Sequence, residues 1–310
     1  MATRASQRSA ASQSSIRKVV VPVAGIGTRL LPVTKSQPKE MLPVGRKPVV
    51  QYVVEEAQRA GLKQVCFVTG RDKLAIENHF DRDPELIQRL TQTDKRDLLA
   101  ELDYEEMGVS FCYVRQSEQK GLAHAIGMAA DFVGDEHFVV SLGDSILWHD
   151  EEGSFLSRMV EIHEREGAAV TIAVETVARD QVHRYGIVKP RREASGEFFE
   201  IEDLVEKPAP SAAPSDKAIA ARYVFAPGIF DAIRRTVPDS AGEMQITDSI
   251  RHLVHQGKKV LAVPLAAGER RYDIGNFESY FRAFVDFAMN DEKYGYTLRQ
   301  YLTKKMAGEV

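Results

Sequence analysis

Lys18-Val-Val-Val-Pro-Val-Ala-Gly25-Ile-Gly27-Thr-Arg29-Leu-Leu-Pro-Val-Thr-Lys35-Ser-Gln-Pro-Lys39-Glu-Met-Leu-Pro43 is the stretch that decides how this chain folds. Its apolar run, Val19 to Ala24, has the length of a buried strand and stops at Gly25 and Gly27, beyond which stand Arg29, Lys35 and Lys39. Such a strand delivers the chain into a phosphate-handling loop. Glycine lets the backbone turn and approach a ligand closely, so that N–H groups point at anionic oxygens. Arg29 adds a planar fork of donors, and the lysines add movable point charges. Two familiar phosphate loops do not fit. A dinucleotide fingerprint needs a third glycine where Leu30 stands, and a Walker loop needs Gly-Lys-Ser/Thr. A glycine turn followed by ordinary surface cations is the plain alternative.

Composition narrows the partners. The 310 residues are 44% apolar, enough for a core, and carry a net charge of −4, whereas nucleic-acid binders normally show a basic surplus or a basic face. A small-molecule partner is expected, with no nucleic acid and no membrane. Cys66 and Cys112 each lie inside an apolar strand-like run, where cysteine serves as a small buried hydrophobe, which points to a reducing cytoplasm. Residues 1–15 hold no apolar segment, so they are neither secretory signal nor anchor and read as a disordered tail.

Downstream, strand and helix patterns alternate. Pro48 to Ala60 sets Val49, Val50, Val53, Val54 and Ala57 at helical spacing, with Gly61 as the stop. Val65 to Thr69, Ser110 to Arg115 and His137 to Leu142 read as strands, and Lys73 to Phe80 and Gly121 to Phe132 as helices. The charged stretch Pro84 to Glu106 reads as helical, with no legible function. This alternation implies right-handed crossovers and a Rossmann-like α/β fold, a mostly parallel sheet flanked by helices. Ligands of such sheets bind at the carboxyl ends of strands, so the loops at Gly25, Gln116 and Asp144 should converge. Beyond residue 150 the pattern turns mixed. Ala168 to Val177, Tyr185 to Lys189, Phe198 to Val205 and Ala218 to Phe225 read as strands, the later three in a smaller antiparallel portion. Phe230 to Arg235, Ile246 to Gln256 and Phe277 to Met289 read as helices. Lys293 to Lys305 carries Tyr294, Tyr296 and Tyr301, an aromatic face for docking onto the body or onto another subunit.

Gly25-Ile26-Gly27-Thr28-Arg29-Leu30, with Lys39 ten residues beyond Arg29, resembles the signature of the sugar-1-phosphate nucleotidylyltransferase family. Pro38-Lys39-Glu40-Met41-Leu42-Pro43 is similar to its bacterial uridylyl-transferring branch; thymidylyl-transferring relatives usually carry Gln where Glu40 stands. The resemblance continues to about residue 290. It implies a glycosyltransferase-A-like single domain over 16–290, ahead of a C-terminal helical segment, 291–310. The nucleotide-binding part is expected at about 16–150 and an antiparallel sugar-phosphate-binding part at about 151–275. UTP and glucose 1-phosphate are the implied substrates, UDP-glucose and pyrophosphate the products, Mg²⁺ the cofactor, and a homo-oligomeric dimer or tetramer the assembly.

The chemistry of such a transfer brings two anions together. A phosphate monoester, with a second pKa of about 6, is already ionised at neutral pH, so no general base is needed and positioning and charge neutralisation must do the catalysis. Asp144, ending the run Phe138 to Gly143, suits Mg²⁺, which takes one or two carboxylates plus phosphate oxygens and water; capping the next segment is its other possible role. By resemblance Asp144 is the family's metal aspartate, and Asp273 in Tyr272-Asp273-Ile274-Gly275-Asn276 shares the metal, although Asp273 and Asn276 equally suit a helix N-terminus. Gln116 offers donor and acceptor to a uracil edge, or is a surface glutamine. The resemblance puts Gln116 and Gly121 in the nucleoside pocket with Ala24, Gly25, Gly27, Thr28 and Glu40, while Ala123 departs from the glycine of the uridylyl branch. Glu206-Lys207-Pro208 sets a hydroxyl acceptor beside a phosphate cation, though surface Glu-Lys pairs are common. The resemblance assigns Gly186, Glu206, Lys207 and Arg222 to the sugar phosphate, and Arg29, Lys39, Asp144 and Lys207 to catalysis. Two rivals stand beside this reading: a thymidylyl or other sugar nucleotidyltransferase, and a non-catalytic nucleotide-sugar sensor lacking one of these groups.

Overall fold

The computed structural model describes residues 14–148 and 154–309. Its strands are β1 (Lys18–Pro22), β2 (Pro43–Val44), β3 (Lys47–Pro48), β4 (Gln64–Thr69), β5 (Ser110–Arg115), β6 (Phe138–Ser141), β7 (Ser145–Trp148), β8 (Val170–Thr176), β9 (Gly186–Pro190), β10 (Phe199–Glu206), β11 (Lys217–Phe225), β12 (Val260–Pro264) and β13 (Arg270–Asp273). Helices α1 (Val49–Arg59), α2 (Leu74–Phe80), α3 (Pro84–Gln92), α4 (Arg96–Ala100), α5 (Leu122–Gly127), α6 (Ala130–Val133), α7 (Phe155–Glu166), α8 (Ile229–Arg235), α9 (Ile246–His255), α10 (Phe277–Met289) and α11 (Gly295–Met306) surround them.

Nine strands form one sheet in the order β5-β4-β1-β6-β11-β8-β12-β10-β9. β1 lies in parallel between β4 and β6, and Val19, Val20 and Val21 are all fully buried, as a strand covered on both faces requires. Their side chains alternate: Val20 joins Cys66, Ile126 and Val140 on one face, and Val19 and Val21 join Phe67, Val53 and Val139 on the other. The α/β class and mostly parallel sheet match the expectation, since only β10 and β11 run against the other strands. The antiparallel strands are not a separate layer. β11 continues the sheet from β6, and Ala218 of β11 also pairs with Ile187 of β9, so the far end of the sheet curls back on itself.

Several elements differ from the sequence reading. β7, β12, β13 and α7 were not anticipated; β7 and β13 are too short for alternation to show, and each finds its partner only through the long-range pairing of Ser145 with Asp273. The single helix expected over Gly121 to Phe132 is two, α5 and α6, interrupted at Met128 and Ala129, and Gly127 lets α5 pack closely on α8, where a Cβ would lie 3.3 Å from Ile233. The expected tail lies outside the described residues as far as residue 13, while the Ser15 N–H and hydroxyl donate to Glu164 at 2.9 and 2.7 Å. On α11 only Gly295 is buried and Tyr296 and Tyr301 are 67% and 48% exposed, while Tyr294, just before it, meets the body through the Arg46 guanidinium 6.0 Å over its ring, so the aromatic face docks only at its start.

A third apolar cluster holds the loop after β1. Leu30, Leu42 and Val44 pack with Ile146, Ile274, Ala283 and Phe287, tying the cation-rich segment to β7 and α10. Each such buried side chain contributes about 2 kcal/mol relative to exposure. The loop is therefore part of the core on one side and open to solvent on the other.

Candidate active site

The backbone of the loop is held from behind. Lys73, itself buried, donates to the Gly25 carbonyl at 2.7 Å and to Glu40 at 2.8 Å. Gln119 donates to the Ala24 carbonyl at 2.6 Å, and the Thr34 hydroxyl to the Gly27 carbonyl at 2.8 Å. Among the described residues, the N–H groups of Gly25, Ile26 and Gly27 take no partner within the chain, which leaves them for an anion. Ala24, Gly25, Gly27, Thr28, Lys39, Glu40, Gln116, Gly121 and Asp144 line one cavity of about 450 Å³, so the three strand-end loops converge as expected. Gly121 is irreplaceable by geometry: its φ is 92°, and a Cβ would stand 2.6 Å from both N and O of Met244.

A second cavity of about 310 Å³ adjoins the first. Arg29, Gly186, Glu206, Lys207, Thr247, Arg271 and Asp273 line it, and Asp144, Leu122 and Leu142 belong to both walls. Lys207 adopts φ 42°, a strained value for a residue with a side chain, and its N–H is fixed by the Tyr185 carbonyl at 3.0 Å. Thr247 donates to Glu206 at 3.1 Å. Gly186 keeps this cavity open, since a Cβ would fall 2.8 Å from Ile219 and Thr247 and 3.2 Å from Glu206.

Where the cavities meet, Lys39 donates to Asp144. Asp273 stands beside them: it pairs with Ser145 in the β7–β13 register, and the Ile274 N–H donates to the Asp144 carbonyl at 2.9 Å. Burial disfavours the Lys39 ammonium, but Asp144 and Glu40 outweigh it and raise its pKa above the ordinary lysine value. Burial likewise opposes ionisation of Asp144, and Lys39 overcomes it and lowers the carboxyl's pKa. Burial and the neighbouring Asp144 raise Asp273, and burial raises Glu40 against the pull of Lys73 and Lys39. Two adjacent carboxylates, one of them destabilised by the other, are a hard oxygen donor pair that a divalent cation would relieve. Among the described residues no cluster of three or more His, Cys, Asp or Glu could cage a metal, so an ion here must share its shell with substrate oxygens and water.

Residues 18–290 match the family model described as nucleotidyl transferase. The chain belongs to the nucleotidyl transferase family. It is 42% identical over 289 residues to UTP-glucose-1-phosphate uridylyltransferase 2 of Staphylococcus saprophyticus, covering 93% of this chain and 98% of that protein. Among solved structures it is similar to a UTP-bound UGPase of Acinetobacter baumannii, with 37% identity, TM-score 0.85, and 93% and 99% of the two chains covered. It is also similar to a UDP-glucose pyrophosphorylase complexed with UDP-glucose, with 36% identity, TM-score 0.80, and 89% and 100% covered. Nucleotidyltransferases of this family generally depend on a divalent metal.

In this nucleotidyltransferase two expected residues stand elsewhere. Arg222 does not reach the sugar-side cavity. It is fully buried, donating to Glu56 at 2.7 and 2.9 Å and to the Ser145 and Ala221 carbonyls at 2.9 and 3.0 Å, so its fork is spent beneath the floor of the site. Arg29, expected on the triphosphate, lines the sugar-side cavity, and its guanidinium approaches Gly275 beside Asp273. The sequence reading missed Lys73, Gln119 and Arg271, whereas Thr247 lies in the segment 242–248 that the resemblance marks as shell or lid and does line the smaller cavity. Lys73 read only as the start of a helix. Arg271, largely buried and salt-bridged to Glu175 at 2.6 Å, lies on the unanticipated β13.

Proposed function

We propose that this nucleotidyltransferase joins UTP and glucose 1-phosphate to give UDP-glucose and pyrophosphate, reversibly. The observation that carries the reading is the shared wall: Asp144 lines both cavities and holds Lys39, so a ligand in either one meets the same charges. The named relatives and the nucleotides bound in their structures support uridylyl and glucosyl specificity.

UTP lies in the larger cavity with its base toward Gln116 and Glu40 and its phosphates on the N–H groups of the glycine loop. Glucose 1-phosphate lies in the smaller one, its hydroxyls on Glu206 and the open space at Gly186, its phosphate on Lys207. That phosphate is already a dianion at neutral pH and attacks the α-phosphorus without a base. Lys39 takes up charge on the leaving pyrophosphate, while Arg29, on the wall of the smaller cavity, faces the attacking phosphate. Asp144 and Asp273 would hold Mg²⁺, which when bound would neutralise charge on the triphosphate. The four catalytic groups act within one cytoplasmic domain over 16–290, in a homo-oligomer.

Ala123, the departure that favours a thymidylyl transferase, is fully buried and is not among the residues lining the cavity, which supports the uridylyl reading over that rival. A sensor would lack a cation or a carboxylate, and this chain has each. The test supplies UDP-glucose, Mg²⁺ and labelled pyrophosphate. Label enters UTP if the reading holds, and its absence from UTP overturns it; a panel of UTP, dTTP, GTP and CTP with glucose 1-phosphate ranks the bases.

A further inference from the structure

Gln116 has little freedom to choose which end of its carboxamide faces the larger cavity. It is 4% exposed, and its N–H is pinned to the Thr69 carbonyl at 2.8 Å. Its side-chain Nε2 lies 3.2 Å from the Gly121 carbonyl and 2.9 Å from His124 Nδ1. A carbonyl oxygen can only accept, so the group facing Gly121 must be the amide NH₂. The second NH₂ hydrogen then falls to His124, whose Nδ1 accepts and whose proton therefore sits on Nε2. Among the described residues Gln116 Oε1 takes no hydrogen bond, and it is the end that remains for the cavity.

We infer that His124 is a specificity-determining positioning residue, which with Gly121 locks the Gln116 carboxamide so that the base pocket presents an acceptor. This rests on the larger cavity being the nucleoside site. An acceptor there suits the imide N3–H shared by uracil and thymine. It opposes cytosine, whose N3 is itself an acceptor, and two acceptors face to face leave a buried group unpaired. Removing the His124 acceptor loosens the lock and lets the carboxamide turn toward cytosine.

The test compares kcat/KM for UTP, dTTP and CTP in the wild-type chain, His124→Phe and His124→Gln. The UTP/CTP ratio should fall about tenfold in His124→Phe, the equivalent of one lost hydrogen bond. The UTP/dTTP ratio should stay within about twofold, because the two bases share the imide edge. His124→Gln, which keeps an acceptor oxygen, should restore the UTP/CTP ratio. General damage to the pocket would move both ratios, and that result, or an unchanged UTP/CTP ratio in His124→Phe, overturns the inference. A wild-type chain that uses no UTP instead overturns the nucleoside assignment itself.

Discussion

Replacing Arg222 by Met should cost the fold far more than any surface charge would. The guanidinium is fully buried and donates twice to Glu56 Oε2, while Glu56 Oε1 takes no hydrogen bond among the described residues, so the variant leaves a carboxylate sealed in the core without a counter-ion. Breaking a buried pair from one side typically costs about 3–5 kcal/mol, a large part of a total stability of about 5–15 kcal/mol. The carbonyls divide unequally. Ala221 O also accepts from the Leu142 N–H at 3.1 Å and stays satisfied, but Ser145 O loses a donor, a loss of about 1–2 kcal/mol. The double variant Arg222→Met with Glu56→Leu removes the orphaned charge and should retain only that smaller loss. Urea unfolding at pH 7 measures both variants against wild type. A single variant that loses less than about 1 kcal/mol, or a double variant as unstable as the single, refutes the argument.

Three further outcomes are expected. Lys39→Ala should lower turnover at least about a hundredfold while glucose 1-phosphate binding, read by calorimetry, changes little, because the ammonium acts on charge that develops in the transition state. Gly121→Ala should raise KM for UTP and destabilise the fold by about 1–3 kcal/mol, since a side chain at φ 92° would collide with the Met244 backbone. His163 is fully buried between His137 and Thr171, and burial lowers its pKa from 6.5 to about 4. The unfolded chain therefore takes up a proton that the folded one refuses. Stability is full above pH 6.5 and declines as pH falls toward 4, by up to about 3 kcal/mol, and urea midpoints at pH 7 and pH 5 should converge in His163→Leu.

What could be read from the sequence was what leaves a local trace. The β1 run and its glycines announce themselves because strand and turn follow from neighbours in the chain, and Lys39 and Asp144 stand at fixed distances from such landmarks. Arg222 was misplaced for the opposite reason. Its environment is made by Glu56, 166 residues away, and by a carbonyl 77 residues away, and no local pattern separates a cation that meets substrate from one buried under the floor. Lys73 hid in the same way, its two partners lying in the loop it braces. β13 has four residues and acquires strand character only against β7, so Arg271 could not be placed beforehand.

The bond between Lys39 and Asp144 has a bearing on how the site meets its ligands. Each charge spends the resting period answered by the other, so neither has to be desolvated when the reactants arrive. Under the proposed reaction, an incoming polyphosphate draws the ammonium to itself, and the carboxylate thus released is ready for a divalent ion. Anion entry would thereby free the carboxylate that a divalent cation would need, so the two events are coupled through one ion pair.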